Sequence, residues 1–357
     1  MQIVFLVHDI HFGGGGERVT INLANTFKEK GADVKIVSLS AASLKNIYPT
    51  NNEIGIDYLC IDFANGCNLI NKVKSIFRVN SYFNTYKRNT IILGIGNYPS
   101  LLLSFLPIRK NIQTVGCQHL AYDGIKNLWA LLRKLLFHRL NFIVCLTKSD
   151  LPKYKKLNKN SIVIPNSIGN FSEQTASLTN KQILFIGRVV PEKGYDILLK
   201  VVERVSKIHD DWTFRIIGEG PLRKKILHEF DLYGLTSKIS WISSSDLIVK
   251  EYINSSIYLM TSRTEGLPMV LLEAQACGLP IISFNCETGP SDIINDGIDG
   301  YLIDNYNIDE MSKKLSMLCS NFNKRKEFGQ NARKNVLKFF PDQVFIKWEA
   351  LFIQLQT

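Results

Sequence analysis

Residues 166–187 read Asn-Ser-Ile-Gly-Asn-Phe-Ser-Glu-Gln-Thr-Ala-Ser-Leu-Thr-Asn-Lys-Gln-Ile-Leu-Phe-Ile-Gly, a polar stretch without period that gives way at residue 182 to an apolar run. Clusters of Ser, Asn, Thr and Gln between periodic segments mark connections. On both sides of this one, short apolar runs alternate with amphipathic segments. The first side predicts strands at 3–8, 33–39, 55–61, 90–95, 112–117, 142–146 and 161–164, with helices at 16–30, 68–87, 126–139 and 149–157. The second predicts strands near 183–188, 213–217, 239–242, 257–261, 280–284 and 301–303, with helices near 195–208, 221–233, 246–254, 267–277, 290–295 and 308–319. Apolar strands between amphipathic helices imply parallel sheets covered on both faces. Two such halves predict two doubly wound α/β domains, with a ligand cleft at the carboxyl ends of their strands.

The division expected is residues 1–168, a linker at 169–181 and a second domain at 182–340. The tail reads as two helices broken at Pro341, and the segment 341–357 is expected to pack back toward the first domain.

A chain of 357 residues, 45% hydrophobic and 21% charged, can bury one core in each half. Seven scattered cysteines without a CxxC pair read as reduced small hydrophobes of a cytoplasmic protein rather than a disulfide framework. Met1 to Val7 runs straight into His8-Asp9, which reads as a first strand and not a signal peptide. Thr90 to Ile108 lacks charge, yet Gly94, Gly96, Asn97 and Pro99 break it into a strand and a short helix, which argues against a membrane span. Net charge is +11, and its placement is uneven. Residues 1–170 hold 21 Lys and Arg against 9 Asp and Glu, and the remainder holds 22 against 23. The first half therefore faces something anionic: a membrane surface, a nucleic acid or a phosphorylated acceptor.

Chemistry concentrates in three places. The first is Arg263-Thr264-Glu265-Gly266-Leu267-Pro268-Met269-Val270-Leu271-Leu272-Glu273-Ala274-Gln275-Ala276-Cys277-Gly278-Leu279-Pro280, two carboxylates around the start of an apolar helix. Gly266 to Pro268 suit a loop and a first helical turn. Glu273 lies among Leu271, Leu272, Ala274 and Ala276, where a carboxylate needs a partner. Hydroxyls of a ligand would serve; so would an Arg or a backbone N–H of the core, with Glu265 then a solvated loop residue. The second is Asp9-Ile-His-Phe-Gly-Gly-Gly-Gly-Glu17, where glycines between a strand and a helix let backbone N–H groups approach phosphate oxygens. It matches neither a Walker loop nor GxGxxG, and a ligand-free connection is the other reading. The third is Gly187-Arg188-Val189-Val190-Pro191-Glu192-Lys193-Gly194, which holds two cations on one loop after a strand. Together they suit a diphosphate leaving group; otherwise they are solvated surface charges.

The order of these segments, with Gly218-Glu219-Gly220-Pro221 between them and Glu265-x7-Glu273 last, resembles the retaining nucleotide-sugar glycosyltransferases of family four, the group 1 glycosyl transferases of GT-B fold. The resemblance covers essentially the whole chain. It implies two Rossmann-like domains facing a central cleft, the first for the acceptor and the second for the donor. By similarity to the family's motif, Glu265 would contact the donor sugar, with the backbone of Gly266, Leu267, Pro268, Met269 and Val270 near the sugar and phosphates. Glu273 would accept hydrogen bonds from the ribose. Arg188 and Lys193, beside Gly187, would bind the diphosphate and stabilise its charge on departure. Gly14, Gly15 and Gly16 would line the facing edge of the cleft. His119, in Val115-Gly116-Cys117-Gln118-His119-Leu120, stands where the family carries a histidine and would contact the sugar near the anomeric centre; a lone His is otherwise structural.

Ile242 and Ser243 fall where the family binds the base, but Ser243-Ser244-Ser245 replaces a common Gly. No Asp-x-Asp motif occupies a plausible loop and no His/Cys cluster has metal-ligand spacing. The expectation is metal-independent, retaining transfer of a hexose or N-acetylhexosamine from a nucleotide-diphosphate sugar, a UDP-sugar by preference, without a cofactor. The acceptor expected is a lipid-linked saccharide or polysaccharide of O-antigen, capsule or exopolysaccharide. Lys126 to Arg139, with Trp129, Arg133, Lys134 and Arg139 beside an apolar stripe, reads as a basic amphipathic helix lying on an anionic membrane, or as a helix packed on its own sheet. This places the protein in the cytoplasm, peripheral on the inner face of the membrane. Two other classes stay open: a sugar-nucleotide epimerase of the same fold, and a basic nucleic-acid-binding protein, against which the absence of aromatics interleaved with Lys and Arg in a recognised module counts.

Overall fold

The computed structural model describes residues 1–11, 15–41, 48–61, 69–169 and 174–356, which form two units. The first comprises residues 1–169 and 341–357, the second residues 170–340. The first unit runs β1 (Gln2–Val7), α1 (Gly15–Glu29), β2 (Asp33–Ser38), β3 (Gly55–Tyr58), α2 (Leu69–Asn84), β4 (Thr90–Ile95), α3 (Asn97–Ser104), β5 (Ile112–Gln118), α4 (Asn127–Leu136), β6 (Phe142–Cys145), α5 (Leu151–Lys155) and β7 (Ser161–Val163). The second runs β8 (Gln182–Ile186), α6 (Tyr195–Ser206), β9 (Thr213–Ile217), α7 (Arg223–Leu232), β10 (Ile239–Ile242), α8 (Ile248–Ile253), β11 (Ile257–Met260), α9 (Met269–Ala276), β12 (Ile281–Phe284), α10 (Pro290–Ile293), β13 (Gly300–Ile303), α11 (Ile308–Ser320) and α12 (Phe322–Asn335). The chain then returns to the first unit as α13 (Pro341–Gln354).

Every described strand expected from the apolar runs is present, and all pair in parallel. The first sheet has the order β3-β2-β1-β4-β5-β6-β7 and the second β10-β9-β8-β11-β12-β13. In each, the winding reverses beside the first strand of the unit, between β1 and β4 and between β8 and β11. Such reversals open a crevice at the carboxyl ends of the strands, where doubly wound sheets bind ligands.

Helices cover both faces of each sheet, turning their apolar sides onto strands that are apolar on both faces. In the first unit α3 lies close on β4 and β5: a Cβ at Gly94 would approach the Ser100 backbone at 2.9 Å, and one at Gly116 would meet Ser100 Oγ at 3.2 Å. The tail is held by aromatics, with Phe27 of α1 packing on Phe345, Trp348 and Phe352 of α13 at centroid distances of 5.6, 5.9 and 5.4 Å. Residues 174–181, expected as linker, are held to the second unit. The Ala176 N–H donates to the Cys277 carbonyl at 2.9 Å, and Leu178 is buried with its carbonyl accepting from the buried Arg325 guanidinium. Thr90 to Ile108 is β4 followed by α3, and among the described residues no helix is long and apolar enough to cross a membrane.

Candidate active site

The reversal between β8 and β11 brings together the two loops that the sequence marks. The loop after β8 carries Gly187, Arg188 and Lys193; the loop after β11 carries Glu265 to Pro268 and leads into α9. Lys193 Nζ lies 2.6 Å from Glu265 Oε1, and the pair is largely buried. The aliphatic stem of Lys193 lies over Gly187, where an added Cβ would stand 3.5 Å from its Cγ and Cδ. Two hydroxyls fix the backbone: Thr261 Oγ1 donates to the carbonyls of Lys193 and Gly194 at 3.1 and 2.9 Å, and Thr288 Oγ1 donates to the Glu265 carbonyl.

A second clamp joins the same loops. The Arg263 N–H donates to the Glu192 carbonyl at 2.7 Å, and its guanidinium grips Asp196 with two bonds of 2.9 and 2.6 Å. Bidentate Arg–carboxylate pairs fix orientation as well as energy. The Asp196 carboxyl is held below its ordinary range, first by the hydrogen bond from Arg263. Arg263 and Asp196 were not singled out by the sequence; nothing local distinguishes them from solvated charges.

Arg188 is exposed on a backbone pinned on both sides. The Gly187 N–H donates to the Ile217 carbonyl at 3.0 Å and the Val189 N–H to the Glu219 carbonyl at 2.9 Å. These contacts place the loop after β8 against Gly218 to Gly220, where a Cβ at Gly218 would fall 1.9 Å from the Gly187 carbonyl oxygen. The site is built on backbone-to-backbone contact that only glycine permits. Gly218 also accepts from Trp241 Nε1 at 3.0 Å, and Trp241 stacks on Tyr195. Ile242 ends β10 and its carbonyl accepts from the Gly218 N–H at 3.0 Å, while Ser243 is exposed beyond it.

Glu273 sits in α9, a helix buried on nearly all sides. Its Oε2 accepts from the Tyr252 hydroxyl at 2.7 Å. Burial, together with the charge of Glu273, pushes the Tyr252 phenol well above its ordinary range, so it stays a donor. A phenol from α8 thus holds the carboxylate. Tyr252→Phe is expected to lower stability by about 2 kcal/mol, because it withdraws a bond to a buried charge. The same variant should weaken donor binding several-fold more than it lowers kcat, as measured by denaturant unfolding and steady-state kinetics.

In the first unit, Gly15 and Gly16 open α1, and a Cβ at either would meet nothing within 4 Å. Packing among the described residues does not require glycine at these two positions. Gly14 lies outside the described residues. His119 follows β5 in a pocket walled by Val19 and Leu23 of α1, Val144, Leu146, Ile164 and Trp348 of α13. Both ring nitrogens are buried without a hydrogen-bond partner among the described residues, and burial pushes the ring pKa down to about 4. His119 is therefore neutral at physiological pH, and its stabilising effect is complete above the unfolded pKa of about 6.5 and lost as pH falls through 4. His119→Asn should flatten the acid limb of the stability–pH profile, removing up to about 3 kcal/mol of pH dependence between those values.

The four residues expected to meet a membrane do not share a face. Arg133 is buried, its guanidinium 3.7 Å from the Tyr122 ring centroid and donating to the Tyr122 carbonyl at 3.0 Å. Trp129 packs edge-on against Tyr98. Lys134 and Arg139 are exposed. Helical phase is the reason: Trp129, Leu132, Arg133 and Leu136 make up the inner side of α4.

Residues 168–335, nearly all of the second unit, match the family model of glycosyl transferases group 1. The second unit belongs to the group 1 glycosyltransferases. Among relatives of this glycosyltransferase, the amylovoran biosynthesis glycosyltransferase of Erwinia amylovora is 29% identical over 98% of this chain and 99% of its own length. An N-acetylgalactosaminyltransferase of Campylobacter jejuni, named for a saccharide acceptor on pyrophosphoryl-undecaprenol, is 24% identical over 100% and 99%. The structure of S. aureus TarM bound to UDP superposes with a TM-score of 0.82 at 18% identity, covering 98% of this glycosyltransferase and 99% of that chain. The fold is GT-B, and the relatives are glycosyltransferases of cell-surface glycan biosynthesis.

Proposed function

We propose that this glycosyltransferase transfers a hexose or N-acetylhexosamine from a UDP-sugar, with retention of configuration and without a metal or other cofactor, to a hydroxyl of a lipid-linked or polysaccharide acceptor. The observation that carries the reading is the Lys193–Glu265 pair at the switch point of the second sheet, with Arg188 on the same loop and Glu273 along α9. In this reading Lys193 and Arg188 engage the diphosphate and stabilise its charge as the glycosidic bond breaks, as a cation does in other transferases. Release of Glu265 from Lys193 leaves its carboxylate to accept sugar hydroxyls beside the Gly266–Val270 backbone. Glu273, held by Tyr252, accepts the ribose hydroxyls, with Ile242 and Ser243 toward the base. Gly14, Gly15 and Gly16 border the sugar, and neutral His119 contacts it near the anomeric centre.

Relatives named for amylovoran, for lipopolysaccharide and for an undecaprenol-linked saccharide support a product in a cell-surface glycan such as capsule, O-antigen or exopolysaccharide, and the excess of basic residues in the first half supports work on the inner face of the membrane. A panel of nucleotide sugars screened by thermal shift and by release of free nucleotide, with and without chelator, tests this. One or two UDP-sugars should raise the melting temperature, with nucleotide release unchanged by chelator. Selective shifts by GDP- or CMP-sugars, or activity abolished by chelator, would overturn those parts of the reading.

A further inference from the structure

Residues 63–149 hold twelve Lys and Arg and one acidic residue, Asp123. They supply α2, α3 and α4, which cover one face of the first sheet, with α3 touching both of the others. With Trp129 and Arg133 turned inward, α4 presents Leu128, Leu131 and Leu135 outward at 55, 53 and 56% exposure. Spacings of three and four residues place them in one stripe. On α2, Val73 and Phe77 repeat the pattern four residues apart, Phe77 at 70% exposure. Exposed Lys126, Lys134 and Arg139 flank the stripe on α4, exposed Lys74 lies on α2, and neither helix carries an acidic residue.

Apolar side chains grouped on a surface mark an interaction site. The charge decides which one. A second copy of this chain would bring like charges together across the interface, which is costly. A bilayer with anionic headgroups offers apolar depth for the leucines and negative charge for the flanking cations. We propose that the α2–α4 face of the first unit docks on an anionic bilayer. Leu128, Leu131, Leu135 and Phe77 enter the interfacial layer, and Lys126, Lys134 and Arg139 meet the phosphates. This deepens the glycosyl-transfer reading and rests on it only for its purpose, which is to hold the enzyme where lipid-linked saccharides lie.

The test is co-sedimentation of the full chain with vesicles of phosphatidylcholine alone or mixed with phosphatidylglycerol. The protein should bind the mixed vesicles, less so as salt rises. Leu131→Asp with Leu135→Asp should lower that partition about tenfold or more, and Lys134→Gln with Arg139→Gln should remove the preference for phosphatidylglycerol. Arg133 is not a probe of this face, since its loss would disturb the core. UDP binding by calorimetry, measured on the same samples, should be unchanged in the leucine variant, and its absence in the parent protein would count against the donor site separately. Equal vesicle binding by the leucine variant and the parent overturns the proposal. So does a dimer in sedimentation equilibrium that the leucine substitutions dissociate, which would assign the face to self-association.

Discussion

Glu265→Ala is expected to lower kcat by about a thousandfold, the scale seen when a preorganised charged or hydrogen-bonding group is removed from a reacting centre. The carboxylate is 10% exposed, and its partner Lys193 lies 2.6 Å away. Alanine removes the acceptor for the sugar hydroxyls and leaves the Lys193 ammonium without its counter-charge beside the departing diphosphate. Stability should fall by less than about 2 kcal/mol, because Lys193 is 23% exposed and can rehydrate. Glu273→Ala should behave differently. Its carboxylate is held by Tyr252 deep in α9, so the substitution should chiefly raise the donor Kd and lower the melting temperature, with kcat at saturating donor reduced less. Kinetics and calorimetry of the two variants, beside Glu265→Gln, separate these effects. Equal unfolding of both alanine variants with no kinetic difference would return both carboxylates to a structural role.

Gly218→Ala is expected to destabilise the second unit by about 3 kcal/mol or more, since overpacking against backbone leaves no flexible atom to yield. Its Cβ would fall 1.9 Å from the Gly187 carbonyl oxygen and 2.7 Å from the Tyr195 hydroxyl. Relief requires the loops after β8 and β9 to separate, which carries Arg188 and Lys193 away from Glu265. Donor binding should therefore vanish with the stability. Gly15→Ala is the counter-case. Nothing lies within 4 Å of its Cβ, and alanine in place of glycine near a helix start should stabilise by up to about 1 kcal/mol. Donor binding should nevertheless weaken, because in the proposed reading Gly14 to Gly16 border the donor sugar. Denaturant unfolding and donor titration of the two variants give opposite signs for stability and the same sign for binding.

The fold was legible because its signals are local. Each apolar run between amphipathic segments became a parallel strand, and the polar stretch near residue 170 coincides with the unit boundary. The site was legible in part. Glycines and charges within single loops announced Gly187 to Gly194 and Glu265 to Glu273, since a loop that approaches another backbone needs glycine wherever it is placed. What joins the loops was not legible. Tyr252 holding Glu273, Arg263 gripping Asp196 and Thr288 bonding the Glu265 carbonyl are contacts set by topology, and each residue alone looks like an ordinary surface or core position. Arg133 shows the same limit from the other side. A cation on an amphipathic segment reads as exposed, yet the rings of Tyr122 and Tyr154 and the Tyr122 carbonyl give it a buried home.

Retaining transfer from a nucleotide-diphosphate sugar is decided by incubating the enzyme with its selected UDP-sugar and a saccharide acceptor, then reading the anomeric proton coupling of the product by NMR. Nucleotide release should depend on the acceptor, and the product should keep the configuration of the donor. An inverted product would contradict retention, and conversion of the sugar nucleotide without any acceptor would make the chain an epimerase instead.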